Sequence, residues 1–377
     1  MINIILTFLW TILCLVNNGL SMPSRVSNRS TIKANQLHLS ESLSLNYCDE
    51  PICYKNDDGQ DLGCFDPWPL TVYGSIDLYS VCPQDPSSIG TTFNIYHSSK
   101  PEQMTHSLDS INSSDKIVFF IPGYKNVYND SRFIALKDEL LSVVNVVILV
   151  DFANGADPGI VSRVTDFYNF HQAAANTQIV GRQIAVLLKN LKLKRDIDYD
   201  NVHLICFSLG TQVAHFMGSY ALTRFGFQVG RITSLDPPGI LIFAPGKRLN
   251  PSDAAFVDVI HTTSFKAPWD FNKAGSGKVG SSLQLGHVDF YPNGGGVNDL
   301  DQPGCSGIDW CSHAFSIALM RASINKCFFQ AVQCSSIYAN GQCKRELKDS
   351  RLGYWSNKYP GRGRYYLNTS HNPLINC

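Results

Sequence analysis

The sequence predicts an α/β class, with a mostly parallel central sheet covered by helices on both faces. Two observations lead there: short, largely apolar runs recur through the middle of the chain, and segments of helical periodicity separate them. A strand apolar on every residue must be covered on both sides, which is how parallel sheets sit in globular proteins. A third observation is the stretch Asn201-Val202-His203-Leu204-Ile205-Cys206-Phe207-Ser208-Leu209-Gly210, an apolar run that ends in a serine and turns into a helix.

Residues 1–21 read as a secretory signal. The apolar run at 4–16 is too short to span a bilayer and Gly19-Leu20-Ser21 offers small residues for cleavage, although no Lys or Arg precedes the run. Residues 22–46, rich in Ser and Asn, read as a flexible leader or pro-segment. From residue 47 to residue 377 a single domain is expected. It enters through a loop-rich stretch punctuated by Cys48, Cys53, Cys64 and Cys82. A buried strand is expected at 116–121, stopped by Pro122-Gly123-Tyr124, and a second at 143–150, with a helix over 133–141 between them. Val180, Ile184, Leu187, Leu188 and Leu191 recur at three and four and predict a helix over 176–192. The strand ending at Ser208 follows, then a helix over 209–220. Strands at 232–235, ending at Asp236, and at 256–260, followed by His261, complete the pattern, and no internal repeat is visible.

Lys plus Arg and Asp plus Glu are equal at 31 each, so no global field steers the chain toward nucleic acid, and no nucleic-acid partner is expected. No later stretch is long and apolar enough to cross a membrane. The expected location is extracellular, in keeping with the sequons at Asn28, Asn112, Asn129 and Asn368, which are glycosylation candidates. Of the twelve cysteines, removal of Cys14 with the signal leaves eleven, an odd number for an oxidising compartment. Cys206 is the expected free thiol, because the buried end of a central strand offers little chance of disulfide geometry with a second cysteine.

The turn at Ser208 has the form of a nucleophile elbow, in which a tight strand-to-helix join holds a serine hydroxyl beside the positive end of the helix. The usual pattern is G-x-S-x-G; here it reads Cys206-Phe207-Ser208-Leu209-Gly210, with one glycine missing. A serine needs a histidine to take its proton, and that histidine needs a carboxylate to fix its tautomer. Asp236 ends the next apolar run and should emerge at the same sheet edge. Among ten histidines, His203 and His215 fall inside the elbow strand and helix and read as structural. Spacing alone leaves His261, His287 and His313 open, with His313 last, where the order Ser, acid, His places the base.

A series of blocks then carries a family likeness: Phe119-Phe120-Ile121-Pro122-Gly123-Tyr124, the elbow, Ser234-Leu235-Asp236-Pro237, Leu249-Asn250-Pro251-Ser252-Asp253 running on to Asp258-Val259-Ile260-His261-Thr262, Gly286-His287-Val288-Asp289-Phe290-Tyr291-Pro292-Asn293-Gly294-Gly295, Gln302-Pro303-Gly304-Cys305 and Cys311-Ser312-His313. From about Cys53 to Leu367 the chain resembles the catalytic domain of the pancreatic lipase family, which includes secreted phospholipases of the venom type. The resemblance implies an α/β-hydrolase fold over 47–377 without the family's C-terminal β-sandwich, hence no colipase. It implies a triad of Ser208, Asp236 and His313, with the backbone N–H groups of Tyr124 and Leu209 as oxyanion donors. It also implies disulfides Cys53–Cys64, Cys305–Cys311 and Cys334–Cys343; partners for Cys48, Cys82, Cys327 and Cys377 stay open.

Departures from the family pattern are Pro122 where His is usual, Cys206 for glycine, and Phe207 where His is frequent. The loop that covers the site in the family is reduced to Ser306-Gly307-Ile308-Asp309-Trp310 between Cys305 and Cys311, a length that resembles the phospholipase A1 branch. Residues 264–285 form a longer loop whose Trp269 and Phe271 are candidates for another flap, and Trp310 either meets lipid or packs on the disulfide. A calcium site found in some members is not expected, since Asn250, Asp253 and Pro245 offer too few charged oxygens; neither metal nor cofactor is implied. Residues 344–364 carry a basic excess, read as a solvated face or a contact for an anionic surface. The expected function is a secreted phospholipase A1 acting at phospholipid or other lipid aggregates. A triacylglycerol or galactolipid lipase is the enzymatic alternative, and a catalytically silent lipid-binding or yolk-type relative the alternative of another class.

Overall fold

The computed structural model describes residues 47–377 apart from 57, 73–75, 159–165, 240–245, 266–275 and 334–346. The signal, the leader, Asn28, Pro245, Trp269, Phe271, Cys334, Cys343, Lys344 and Arg345 therefore lie outside the described residues. Two hairpins come first, β1 (Ile52–Lys55) with β2 (Asp61–Phe65) and β3 (Trp68–Val72) with β4 (Ile76–Val81). After the short helix α1 (Pro86–Ile89) come β5 (Thr92–His97), β6 (Lys100–Thr105) and β7 (Ile117–Ile121). Helix α2 (Ser131–Leu140), β8 (Val146–Asp151), the turn α3 (Ala153–Ala156) and the long α4 (Asp166–Arg195) follow. Then come β9 (Val202–Phe207), α5 (Gly210–Tyr220), β10 (Arg231–Leu235), β11 (Phe256–Ile260) and β12 (Val288–Pro292). Helix α6 (Cys311–Asn325) and the strands β13 (Gln330–Gln333), β14 (Leu347–Arg351) and β15 (Gly363–Leu367) end the chain.

Eleven strands form one sheet in the order β14-β13-β15-β12-β11-β10-β9-β7-β8-β5-β6. From β8 through β15 every neighbouring pair is parallel, and antiparallel strands close both edges. Side chains alternate faces along each strand. Ile117, Phe119 and Ile121 of β7 join one core with Ile179, Val180 and Ile184 of α4 and Val213 and Met217 of α5. Val118 and Phe120 join the other, with Phe133, Leu136 and Leu140 of α2 and Leu319 and Met320 of α6. Both faces are thus covered, which is why β7, β10, β11 and β12 are buried at every residue. This is the expected α/β-hydrolase class.

Two elements depart from expectation by more than two residues at a boundary. The strand at 143–150 starts at Val146, because Val143 and Val144 close the turn after α2 by donating to Leu140 O. The helix at 176–192 extends to Asp166–Arg195. Its early turns bury Gln172 and Asn176 alongside the small Ala173, Ala174 and Ala175; Gln172 donates to Cys82 O (2.9 Å) and Asn176 to Gly155 O (3.0 Å). A buried face satisfied by amides leaves no apolar period to read. The edge strands β6 and β14, and β13 beside the latter, are short and mostly polar, and they too lack that signal. Among the described residues no helix is long and apolar enough to cross a membrane.

Candidate active site

Strand β9 lies between β7 and β10, so its end emerges at the middle of the sheet. Ser208 follows directly, with its N–H bonded to Leu235 O (2.9 Å) and its backbone in the left-handed region at φ 53°. For a side chain larger than hydrogen that conformation is costly and persists where neighbours over-determine it. Here the neighbours are close: a Cβ on Gly210 would stand 2.4 Å from Ile121 O, and one on Gly123 would stand 2.7 Å from Ser208 Cβ. The loop after β7 is thereby pressed against the elbow. Tyr124 packs against the apolar cluster that contains the buried Leu209 and meets Phe170 edge-on at 5.1 Å. Helix α5 starts at Gly210 without a side-chain cap, so its first N–H groups and the positive end of its dipole are directed at the elbow.

Asp236 follows β10, the neighbour of β9, and it too is left-handed, at φ 49°. Its fully buried carboxylate takes four donors. Oδ1 accepts from Thr262 N (2.7 Å) and Thr263 N (2.9 Å), and Oδ2 accepts from Thr263 Oγ1 (2.6 Å) and His313 Nδ1 (2.6 Å). Because Oδ2 can only accept, Nδ1 carries the ring proton and Nε2 is left basic. His313 sits in the first turn of α6, its ring 4.6 Å from Phe207, the residue before Ser208, and 6.0 Å from Trp310. Sheet order, turn and helix thus bring Ser208, Asp236 and His313 to one edge of the sheet, with Tyr124 and Leu209 beside them.

The disulfide Cys305–Cys311 (2.03 Å) closes the five-residue loop next to His313. Trp310 is 47% exposed, held from behind by its N–H on Ser276 O (3.0 Å), and Ile308 beside it is 59% exposed. Of the two readings for Trp310, burial on the disulfide is therefore set aside. Cys53–Cys64 is also formed, and Cys48–Cys82 and Cys327–Cys377 supply the pairs that the sequence left open.

The other histidines are engaged elsewhere. His261 is fully buried between Ser281 O and Asp289, and His287 accepts from Val257 N (3.0 Å). His203 bonds Thr233 Oγ1, and His215 bonds Asp253 (2.9 Å). Asp253 also closes the capping box with Asn250, so its oxygens are committed to the fold. Among the described residues no three His, Cys, Asp or Glu side chains gather as a metal site. Much of the basic excess near the C-terminus is structural. Arg351 donates to Cys327 O (3.0 Å) and Arg362 to Gly361 O (2.8 Å), and Arg364 lies over Tyr291. Asn112, Asn129 and Asn368 are exposed.

Cys206 is the free cysteine among the described residues, and its side chain belongs to the core on the α4–α5 face with Ile121 and Val213. The thiol is therefore directed away from the turn where a glycine is usual. Burial pushes its ionisation well above the ordinary thiol value. Iodoacetamide should leave Cys206 unmodified in the native protein and alkylate it fully in urea; peptide mass mapping reads the difference.

Sequence reasoning missed the groups that hold the carboxylate, Thr262 and Thr263, and Gln302, whose Nε2 donates to Thr262 O (2.9 Å) and whose N–H donates to Ser312 Oγ (3.0 Å). Two of the three stand in the blocks that carry the family likeness, but their role is a matter of backbone geometry that periodicity does not reveal.

The family model described as Lipase matches residues 60–373. Lipase member H of Mus musculus is 34% identical over 67% of this chain and 53% of its own length. Pancreatic lipase-related protein 2 of Sus scrofa is 37% identical over 67% and 50%, and pancreatic triacylglycerol lipase of Equus caballus 30% identical over 84% and 71%. The match to the first two spans about half of their length. Both flanks of the site, from the loop at Gly123 to the helix carrying His313, fall inside the matched span, and the chain belongs to the Lipase family.

Proposed function

We propose that this chain is a secreted serine hydrolase of lipid esters that passes through an acyl-enzyme on Ser208. The observation that carries the reading is the 2.6 Å bond from His313 Nδ1 to the four-fold bonded Asp236, beside a serine on a left-handed turn. Ser208 Oγ attacks the ester carbonyl and His313 Nε2 takes its proton. The N–H groups of Leu209 and Tyr124 face the oxyanion, and Asp236 stabilises the imidazolium. His313 then returns the proton to the leaving alcohol. In the second half it deprotonates the water that releases the fatty acid. The described disulfides fit an oxidising compartment, and the exposed Asn112, Asn129 and Asn368 are accessible to N-glycosylation.

Within this reading the preferred substrate is the sn-1 ester of phospholipids presented in a membrane or micelle. The short Cys305–Cys311 loop is too small to cover an acyl groove, and its exposed Ile308 and Trp310 stand next to His313 at the surface that would meet lipid. Triacylglycerol is the second reading, favoured by the name of the horse relative. Fatty-acid release from phosphatidylcholine vesicles and from a triolein emulsion separates them. Release from vesicles with 2-acyl lysophosphatidylcholine as co-product is expected; cleavage of the emulsion alone would overturn the phospholipid assignment.

A further inference from the structure

We propose that His261 and Asp289 form a second histidine–carboxylate pair whose task is to position Asp236, so that both are positioning residues of the reaction. The inference rests on the triad reading above.

Both residues are fully buried, one at the end of β11 and the other in β12. His261 Nδ1 faces the carbonyl oxygen of Ser281, which can only accept, so Nδ1 carries a proton. Nε2 lies 2.8 Å from Asp289 Oδ1. That carboxylate also accepts one backbone N–H on each oxygen, Leu285 N on Oδ1 and Gly286 N on Oδ2, both at 2.9 Å. Both ring nitrogens are therefore engaged, one by a carbonyl and one by a carboxylate that backbone N–H groups hold in place. Tyr291 stacks on the ring at 4.5 Å with a 7° interplanar angle and fixes its plane.

The pair is wired to the catalytic carboxylate along two routes. Along the chain, His261 is followed by Thr262 and Thr263, whose N–H groups grip Asp236 Oδ1. Through space, His261 fixes Ser281, whose N–H is bonded to Pro237 O (2.8 Å), directly after Asp236. The neighbouring Gly280 N–H donates to Thr263 Oγ1 (2.8 Å), and that hydroxyl donates to Asp236 Oδ2. A hydroxyl receiving on one side and donating on the other has a fixed rotor, so the direction of the hydrogen bond to Asp236 is set by the segment that His261 holds. The left-handed turn at Asp236 depends on such bracing from both sides.

The test uses the full-length protein and the variants Asp289→Asn and His261→Gln, with active sites counted by an organophosphate taken to completion and turnover of p-nitrophenyl butyrate expressed per titrated site. The expected result is a fall in kcat of about 10–100-fold with KM within about twofold, the size found when groups that hold a reacting ligand in place are removed. A purely structural pair would lower the titratable fraction and leave kcat per site unchanged, and that outcome overturns the proposal. A second measurement needs no variant. In ¹⁵N-labelled wild type, the ring identified by its contact with Tyr291 should carry a proton on Nδ1 that is protected from exchange with solvent. A ring with no proton on Nδ1 would equally overturn the assignment. Wild type that fails to react with the organophosphate refutes the triad reading, while the ring spectrum still reports on the pair.

Discussion

Asp236→Asn is expected to lower kcat by about 10⁴-fold in a protein that still folds. The substitution preserves shape and leaves an acceptor for the Thr262 and Thr263 amides, which hold Oδ1 at 2.7 and 2.9 Å. The new amide nitrogen then faces His313 Nδ1, where a carboxylate oxygen accepted at 2.6 Å. Two donors cannot share that contact, so the ring proton moves to Nε2 and the nitrogen that should take the Ser208 proton is no longer basic. The amide also faces Thr263 Oγ1, which loses the acceptor for its proton; this costs some stability but leaves the Oδ1 contacts in place. The loss therefore falls on chemistry, with little on binding, and steady-state kinetics should show KM nearly unchanged. A fall of less than about tenfold, with an unaltered circular dichroism spectrum, would show that Asp236 does not set the tautomer.

The largest effect on stability is expected far from the catalytic edge, at the other end of the same strands. Arg231 and Asp258 form a buried, bidentate pair across β10 and β11, with Nε to Oδ1 at 2.9 Å and a second nitrogen to Oδ2 at 2.8 Å. Thr233 Oγ1 donates to Asp258 at 2.7 Å and His203 closes on Thr233, so four residues on three adjacent strands share one network. The guanidinium also reaches the carbonyls of Gly353 and Tyr354 and thereby pins the segment between β14 and β15 to the sheet. Asp258→Ala strands a buried cation and should cost about 3–5 kcal/mol, the penalty for removing one partner of a buried pair. Urea unfolding reads it as a lower midpoint at unchanged slope. Replacing both Arg231 and Asp258 with apolar residues of similar volume should cost less than Asp258→Ala alone, because no charge is left uncompensated.

The sheet centre was legible in the sequence because β7 and the first five residues of β8 are wholly apolar, β9 is interrupted only by His203, and the runs of β7, β8 and β10 stop at Pro122, Asp151 and Asp236. The edges were not. Strand β6 reads Lys-Pro-Glu-Gln-Met-Thr, whose partner is solvent on one side, and the first turns of α4 bury amides that mimic a polar loop. At the site, Ser208 and Asp236 were legible as strand-end residues. Their shared left-handed backbone was not, since no glycine marks either position. The choice among His261, His287 and His313 was open to spacing and was narrowed by resemblance. The structure separates them by partner: a carbonyl and a carboxylate for His261, a backbone N–H for His287, and Asp236 for His313. The missing glycine at Cys206 looked more disruptive in sequence than it is in space, because strand alternation turns that side chain into the core.

The proposed ester hydrolysis requires Ser208 to be a nucleophile activated by His313. Incubation of the folded protein with a fluorophosphonate, followed by peptide mass mapping, tests this directly. One adduct per chain on Ser208 is predicted, formed orders of magnitude more slowly in His313→Ala. A folded wild-type protein whose Ser208 stays unlabelled, or one labelled equally fast without the imidazole, would contradict it.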